Sequence, residues 1–367
     1  MADRILVTGG AGFIGRHLTR LLLSRGHAVR VLDSLIPQVH GTTDRPEDLD
    51  DEAELIVGDV RDSAAVARAL RGVDKVVHLA AEVGVGQSMY AVDRYVSVND
   101  HGTAVLLQAL IEHPVRRLVV ASSMSIYGEG LYRDADGTLH DDVCRKPGRP
   151  WDPQDRLGRP LQPVPTPESK RPALASVYAI TKYAQERLAL TLAPAYGMEG
   201  VALRLWNAYG PGQALSNPYT GVIAIFAARL LNGQPPSIFE DGNQMRDFVH
   251  VEDVAHAFLL ALEEPAAAGG VFNIGSGEPR SVRSVAALLA EAMGTPEIEP
   301  EVTEAGRAGD IRHCIPDLSL ARQQLRYAPR RGFREGLAEL VPWVARQQAQ
   351  DRVAQARREL EARGLVA

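Results

Sequence analysis

The chain has 367 residues and a formal net charge of −6, long enough to bury a full core and carry a smaller second lobe. It has no long basic stripe to attract nucleic acid, and its two cysteines, Cys144 and Cys314, supply neither a disulfide framework nor a four-ligand zinc site. No apolar stretch is long enough to span a bilayer and the first apolar run begins at Arg4, which leaves no room for a secretion signal, so a cytoplasmic protein is expected.

That first run, Arg4-Ile5-Leu6-Val7, leads into Thr8-Gly9-Gly10-Ala11-Gly12-Phe13-Ile14-Gly15. Gly9 allows a tight turn after a buried strand, Gly12 lets the backbone approach a pyrophosphate, and Gly15 lets the helix from Phe13 to about Arg25 pack on the sheet. The start of that helix, at Phe13 and Ile14, presents free N–H groups to phosphates. A second apolar run, Val29 to Leu32, ends at Asp33, eighteen residues past Gly15. A carboxylate there accepts hydrogen bonds from ribose hydroxyls and repels a 2′-phosphate, so NAD is expected over NADP.

Further strands are expected at Glu54 to Val57, Lys75 to Leu79, Arg117 to Ala121 and Val201 to Leu205, with helices near Ser63 to Leu70, Gly102 to Glu112 and Tyr178 to Leu192. Such alternation predicts an α/β fold, a Rossmann-type doubly wound parallel sheet covered on both faces. Ligands in it bind beyond the carboxyl ends of the strands, where Asp59, Ala80, Ala81 and Ser122 fall. The NAD-binding domain is expected to comprise residues 1–207 and 246–275, and a smaller C-terminal α/β substrate lobe residues 208–245 and 276–345.

Tyr178 and Lys182 lie four apart, on one face of a helix. A nearby ammonium favours the phenolate, which could take a hydroxyl proton while hydride leaves the same carbon. The strand end Ala121-Ser122-Ser123-Met124-Ser125-Ile126-Tyr127-Gly128 would face the same cleft. Glycine motif, Ser-rich strand end and Tyr/Lys pair together resemble the extended short-chain dehydrogenase/reductase family of nucleotide-sugar epimerases and dehydratases. Asp59-Val60, His78-Leu79-Ala80-Ala81, Asn99, Arg204 to Gly212 and Arg246 to Val254 add to the likeness, which covers about residues 4 to 345.

The resemblance implies that Ser123 positions the reacting oxygen, Tyr178 is the acid/base, and Lys182 tunes Tyr178 and contacts a ribose. It places Asp59 and Val60 beside the adenine, Leu79, Ala80, Ala81 and Asn99 on the cofactor, and Ser88, Asn207, Phe239, Arg246, Arg307 and Arg312 on a nucleotide-diphosphate sugar. A homodimer is implied in the same way. Relatives that dehydrate or decarboxylate carry acids just after the catalytic hydroxyl, where this chain has Met124 and Ser125. That leaves epimerisation or a net redox step. The stretches Val31 to Gly41 and Val83 to Tyr90 are similar to one branch, the dTDP-L-rhamnose 4-epimerases, with UDP-glucose or UDP-glucuronate 4-epimerases as the alternative. A 3-hydroxysteroid-type dehydrogenase and a non-catalytic NAD sensor are the readings from other classes.

Residues 129–173 form an insert with eight prolines between 147 and 172, expected to be mostly loop and to act as a lid or a disordered excursion. His140 and Cys144 are too few for a metal, and none is expected. The charged tail, residues 346–367, is expected to be a solvated helix.

Overall fold

The computed structural model describes residues 2–143, 145, 150–217, 219, 221–306, 310–347 and 358–366. Apolar runs of four to seven residues too short for helices become a seven-stranded sheet in which every pairing is parallel. Its strands are β1 (Arg4–Thr8), β2 (Ala28–Asp33), β3 (Glu54–Val57), β4 (Lys75–His78), β5 (Arg117–Ser123), β6 (Glu199–Leu205) and β7 (Val271–Ile274). The spatial order β7-β6-β5-β4-β1-β2-β3 reverses between β1 and β4, and a crevice opens at that switch point.

Helices cover both faces, as the continuous apolar character of the strands requires. Helix α1 (Phe13–Ser24) lies on the face that buries Ile5, Val7 and Val31. Helices α2 (Ser63–Ala69), α3 (Gly102–Glu112) and α4 (Val177–Ala195) cover the face that buries Leu6, Leu32 and Val120. Val119 and Val120 show the pleat at work, one in each core.

The smaller lobe packs α5 (Val222–Leu231), α7 (Val282–Ala292) and α8 (Phe333–Val344) around a three-stranded sheet of Asn207–Tyr209, Met245–His250 and Pro279–Ser281. Helix α6 (Val251–Glu263) returns the chain to α1 in the larger core. The segment Met245–His250 is the central strand of this three-stranded sheet. Alternation lets it serve both cores, since Phe248 enters the lobe core and Val249 the large one.

The insert is less loop-like than its prolines suggest. Leu131–Arg133 pairs with Leu139–His140 on one side and Gln162–Val164 on the other, both antiparallel. Pro163 is accommodated because it sits on an edge strand. The described insert residues are stapled down: Thr166 N–H donates to the Ile315 carbonyl at 2.7 Å, Ala173 N–H to Ile126 at 2.9 Å, and Lys170 Nζ to Tyr127 at 2.9 Å.

Candidate active site

One cleft of about 900 Å³ runs from the glycine loop after β1, past the ends of β4 and β5, to the lobe. At its first end Gly9 has φ +69°, and a Cβ there would stand 2.8 Å from the Ala80 nitrogen, so the loops after β1 and β4 touch. A Cβ on Gly15 would come within 2.6 Å of Gly10, which fixes how closely α1 approaches the turn. Gly12 starts α1 with no side-chain cap, and Gly12, Phe13, Ile14 and Gly15 line the cleft. An uncapped helix start on a glycine turn suits a diphosphate. Asp33, 8% exposed, accepts hydrogen bonds from Ala11 N–H and Leu35 N–H, both at 3.0 Å. His40 Nε2 stands 3.4 Å from the same carboxylate.

Asp59, Val60, Leu79, Ala80 and Ala81 also line this end. Hydrogen bonds from the Arg61 guanidinium hold the Asp59 carboxyl below its ordinary range. The residues expected to meet a dinucleotide's diphosphate, ribose and base thus share one wall.

At the other end, Ser123 closes β5 and Tyr178 opens α4. The hydroxyl of Ser176 caps α4 by accepting from Ala179 N–H at 3.1 Å, which sets Tyr178 and Lys182 on the cleft face. Burial raises the Tyr178 phenol above its usual value, and a hydrogen bond with Ser123 pulls it back down. The Ser123 hydroxyl accepts from Ser125 N–H at 3.1 Å and from the Ser125 hydroxyl at 2.9 Å. The Tyr95 ring meets the Tyr178 ring edge to face at 6.4 Å.

Lys182, expected to tune Tyr178 by its charge, donates from Nζ to Gln185 Oε1 at 2.7 Å. Burial lowers its pKa to about 7, against the attraction of Glu186. Behind it Gln185 donates to Thr103 at 2.8 Å, while His78 bridges Thr103 and Thr8 at 2.9 and 2.7 Å. Burial, with the Lys182 charge second, lowers the His78 pKa to about 3. The Ser123 hydrogen bond eases ionisation of Tyr178.

At the lobe, Asn207, Phe239 and Arg246 line the cleft. Arg246 is anchored by the carbonyls of Met245 at 2.9 Å, Arg312 at 2.8 Å and Ile311, and Asp310 lies 3.5 Å from it. Asn207 Nδ2 donates to the Asp247 carbonyl at 2.9 Å.

Three expected ligand contacts stand elsewhere. Arg312 is 1% exposed and joins Asp152 of the insert to Glu240 and Asp241 of the lobe at 2.7, 3.1 and 2.6 Å. Its fork is spent on carboxylates, so it braces the insert against the lobe instead of facing a diphosphate. Ser88 is fully buried and donates back to the Val85 carbonyl at 2.7 Å, leaving Gly84, Val85 and Gly86 to face the cleft. Asn99 lies behind the wall, exchanging hydrogen bonds with the Glu82 backbone at 2.7 and 3.1 Å and donating to Thr181 at 2.9 Å. Arg307 and Cys144 lie outside the described residues, and His140 pairs with Asp134 at 2.9 Å.

Several cleft residues gave no sequence signal: Glu82, Arg94, Tyr219 and Leu360. They belong to no local motif, and only the fold brings them to the site. For metals, His250, Glu252 and Glu339 bring ligand atoms within 4.8 Å of one another. Arg331 already pairs with both carboxylates at 3.0 Å, and His250 Nδ1 accepts the Glu252 N–H that starts α6, which places the ring hydrogen on Nε2. The cluster is a helix cap with an ion pair.

The model of the NAD dependent epimerase/dehydratase family matches residues 5–275. The chain is 38% identical to a dTDP-L-rhamnose 4-epimerase of Burkholderia thailandensis, over 94% of this chain and 95% of that protein. The solved structure of a UDP-glucose 4-epimerase from Thermotoga maritima, with UDP-glucose, superposes with a TM-score of 0.76 at 33% identity, covering 93% of this chain and 98% of that one. A dTDP-glucose 4,6-dehydratase from Streptomyces venezuelae, solved with NAD bound, gives a TM-score of 0.77 at 30% identity, with 93% and 96% covered.

Proposed function

Because this chain belongs to the NAD-dependent epimerase/dehydratase family and takes NAD as its cofactor, we propose that it is a nucleotide-sugar 4-epimerase that interconverts dTDP-L-rhamnose and dTDP-6-deoxy-L-talose. The observation that carries epimerisation over dehydration is the state of the cleft's acids. Among the described residues the carboxylates on its wall are Asp33, Asp59, Glu82 and Asp310. Backbone N–H groups hold Asp33, Arg61 holds Asp59, Arg94 holds Glu82 at 2.7 Å, and Asp310 accepts from its neighbour Ile311 at 3.0 Å while facing Arg246. Glu129, which follows the catalytic strand end, is bound by Arg145 at 2.7 Å and by two backbone N–H groups. None is left to move a proton at a second carbon, which dehydration demands. The relative from Burkholderia supports the sugar.

The glycine turn, the start of α1 and Asp33 would hold NAD, which would supply a reversible hydride acceptor for C4. Tyr178 takes the C4 hydroxyl proton as hydride leaves, giving a transient 4-keto sugar, and gives it back when hydride returns to the other face. Ser123 holds the reacting oxygen and the phenol together. Asn207 and Arg246 hold the diphosphate and so act as the pivot about which the ketone turns over.

Purified protein given dTDP-L-rhamnose should form the C4 epimer, seen by NMR, without net NADH. Accumulation of NADH, or a need for added NADPH, would sink this reading. Arg246→Ala should weaken dTDP binding and raise KM more than it lowers kcat, because a phosphate contact is the same for both epimers.

We also propose a homodimer through the neighbouring helices 92–101 and α4. Val92, Val96, Ile180 and Leu188 are each more than 40% exposed there, an apolar area that a second copy would cover. Sedimentation of an Ile180→Glu, Leu188→Glu double variant should report a monomer. No helix of the described residues is long and apolar enough to cross a membrane, and a cytoplasmic location fits the NAD requirement.

A further inference from the structure

Of the charged C-terminal segment, residues 358–366 are described, and there Leu360 reaches the cleft while Arg358, Glu361, Ala362, Arg363 and Gly364 are exposed. Leu360 is 6% exposed and lines the cavity, and its methyl carbons are 3.6 and 3.7 Å from where a Cβ would stand on Gly86. The Glu359 carboxylate accepts from the hydroxyls of Tyr90 and Tyr219, both at 2.9 Å. Arg363 lies over the Tyr90 ring at 4.4 Å. An apolar contact, two charge-assisted hydrogen bonds and a cation–π contact therefore seat the segment through different chemistries.

The seat is beside the reaction centre. A Cβ on Gly84 would meet Tyr219 at 3.0 Å and the Tyr95 hydroxyl at 3.1 Å, and Tyr95 stands edge-on to Tyr178. On the 4-epimerase reading the sugar would lie in the cleft that Tyr178 lines together with Gly84, Val85, Gly86 and Leu360. Those four residues offer no polar side chain, and the nearby hydroxyls of Tyr90 and Tyr219 give their hydrogens to Glu359. A hydroxymethyl group against the four would give up water for no side-chain donor among them, whereas a methyl group has no such loss.

We propose that residues 358–366 complete the sugar pocket and that Leu360 makes it selective for a sugar with a methyl group, instead of a hydroxymethyl group, at C5. This rests on the 4-epimerase reading.

The test uses the full chain, Leu360→Asn, Leu360→Met and a chain ending at residue 357. Turnover is measured on dTDP-L-rhamnose and dTDP-glucose, with affinity for free dTDP by calorimetry. Leu360→Asn and the shortened chain should lose about tenfold or more in kcat/KM on the deoxy sugar, change little on dTDP-glucose, and keep dTDP affinity, while Leu360→Met stays near the parent. Equal changes on both sugars, no change on either, or loss of dTDP affinity with the sugar effect would overturn the proposal, the last because the segment would then merely support the lobe. An unaltered chain inactive on dTDP-L-rhamnose would defeat the functional reading and this inference with it, a result distinct from failure in the variants alone.

Discussion

At the glycine-loop end of the cleft the wall is mostly backbone: the Gly9 turn and the uncapped start of α1, with the Asp33 carboxylate steadied by two N–H groups. At the other end side chains from far-apart segments line it, with Ser123 from β5, Tyr178 and Lys182 from α4, Arg246 from the lobe and Leu360 from the tail. The first end is drawn from the first three βα units, whose loops meet at the switch point. The second depends on buried polar groups whose ionisation the fold has displaced, Tyr178 upward and Lys182 downward. Substitutions should accordingly act on affinity for NAD at the first end and on turnover or assembly at the second.

Tyr178→Phe gives the largest break in that comparison. Removing the proton carrier with little loss of volume should lower kcat by about 10²–10⁴-fold while thermal unfolding stays unchanged; near-normal turnover would remove Tyr178 from the mechanism. Arg312→Ala should cost stability instead, about 1–3 kcal/mol by denaturant unfolding, since it removes charge-assisted hydrogen bonds to the buried Glu240, which keeps Arg145, and to the part-exposed Asp241. A variant of ordinary stability and weakened dTDP binding would return Arg312 to the diphosphate.

Asp33→Ala should weaken NAD binding roughly tenfold to a hundredfold, the range for losing one or two charge-assisted hydrogen bonds, and leave dTDP affinity alone. If both ligands weakened together, the two ends would not be separable. A smaller effect is expected from Ser123→Ala. It should lower kcat less than Tyr178→Phe and also move the rising limb of the pH–rate profile upward, because the hydrogen bond that lowers the Tyr178 pKa is gone. A profile that stayed in place would mean that this hydrogen bond does not set the ionisation of Tyr178.

Lys182 carries a stability signature of its own. Its folded pKa of about 7 lies below the ordinary value of 10.5, so between these pH values the unfolded chain binds a proton that the folded chain does not. Stability from this group therefore rises with pH through that window and is least below it. Denaturant unfolding at pH 7 and about pH 9 should show a gain in the parent that Lys182→Met lacks; equal gains in both would mean the amine is charged when folded.

The sequence by itself determined the sheet and the cofactor end. Apolar runs, the glycine turn and Asp33 are local signals, and their geometry follows from backbone sterics within a few residues. It also placed Tyr178 beside Lys182, because helical spacing is local too. Arg246 and Arg312 look alike in sequence, 66 residues apart, and only packing decided that one borders the cleft while the other is consumed by Asp152, Glu240 and Asp241. Ser88 and Asn99 sit in the right stretches, yet the turn of the chain aims their side chains at backbone groups. The tail reads as charged and solvated, since Leu360, its one cleft residue among those described, is an isolated apolar position with no pattern around it. Which polar group meets a ligand and which meets another polar group depends on contacts between segments distant in the chain, and those contacts exist only once burial has forced every such group to find a partner.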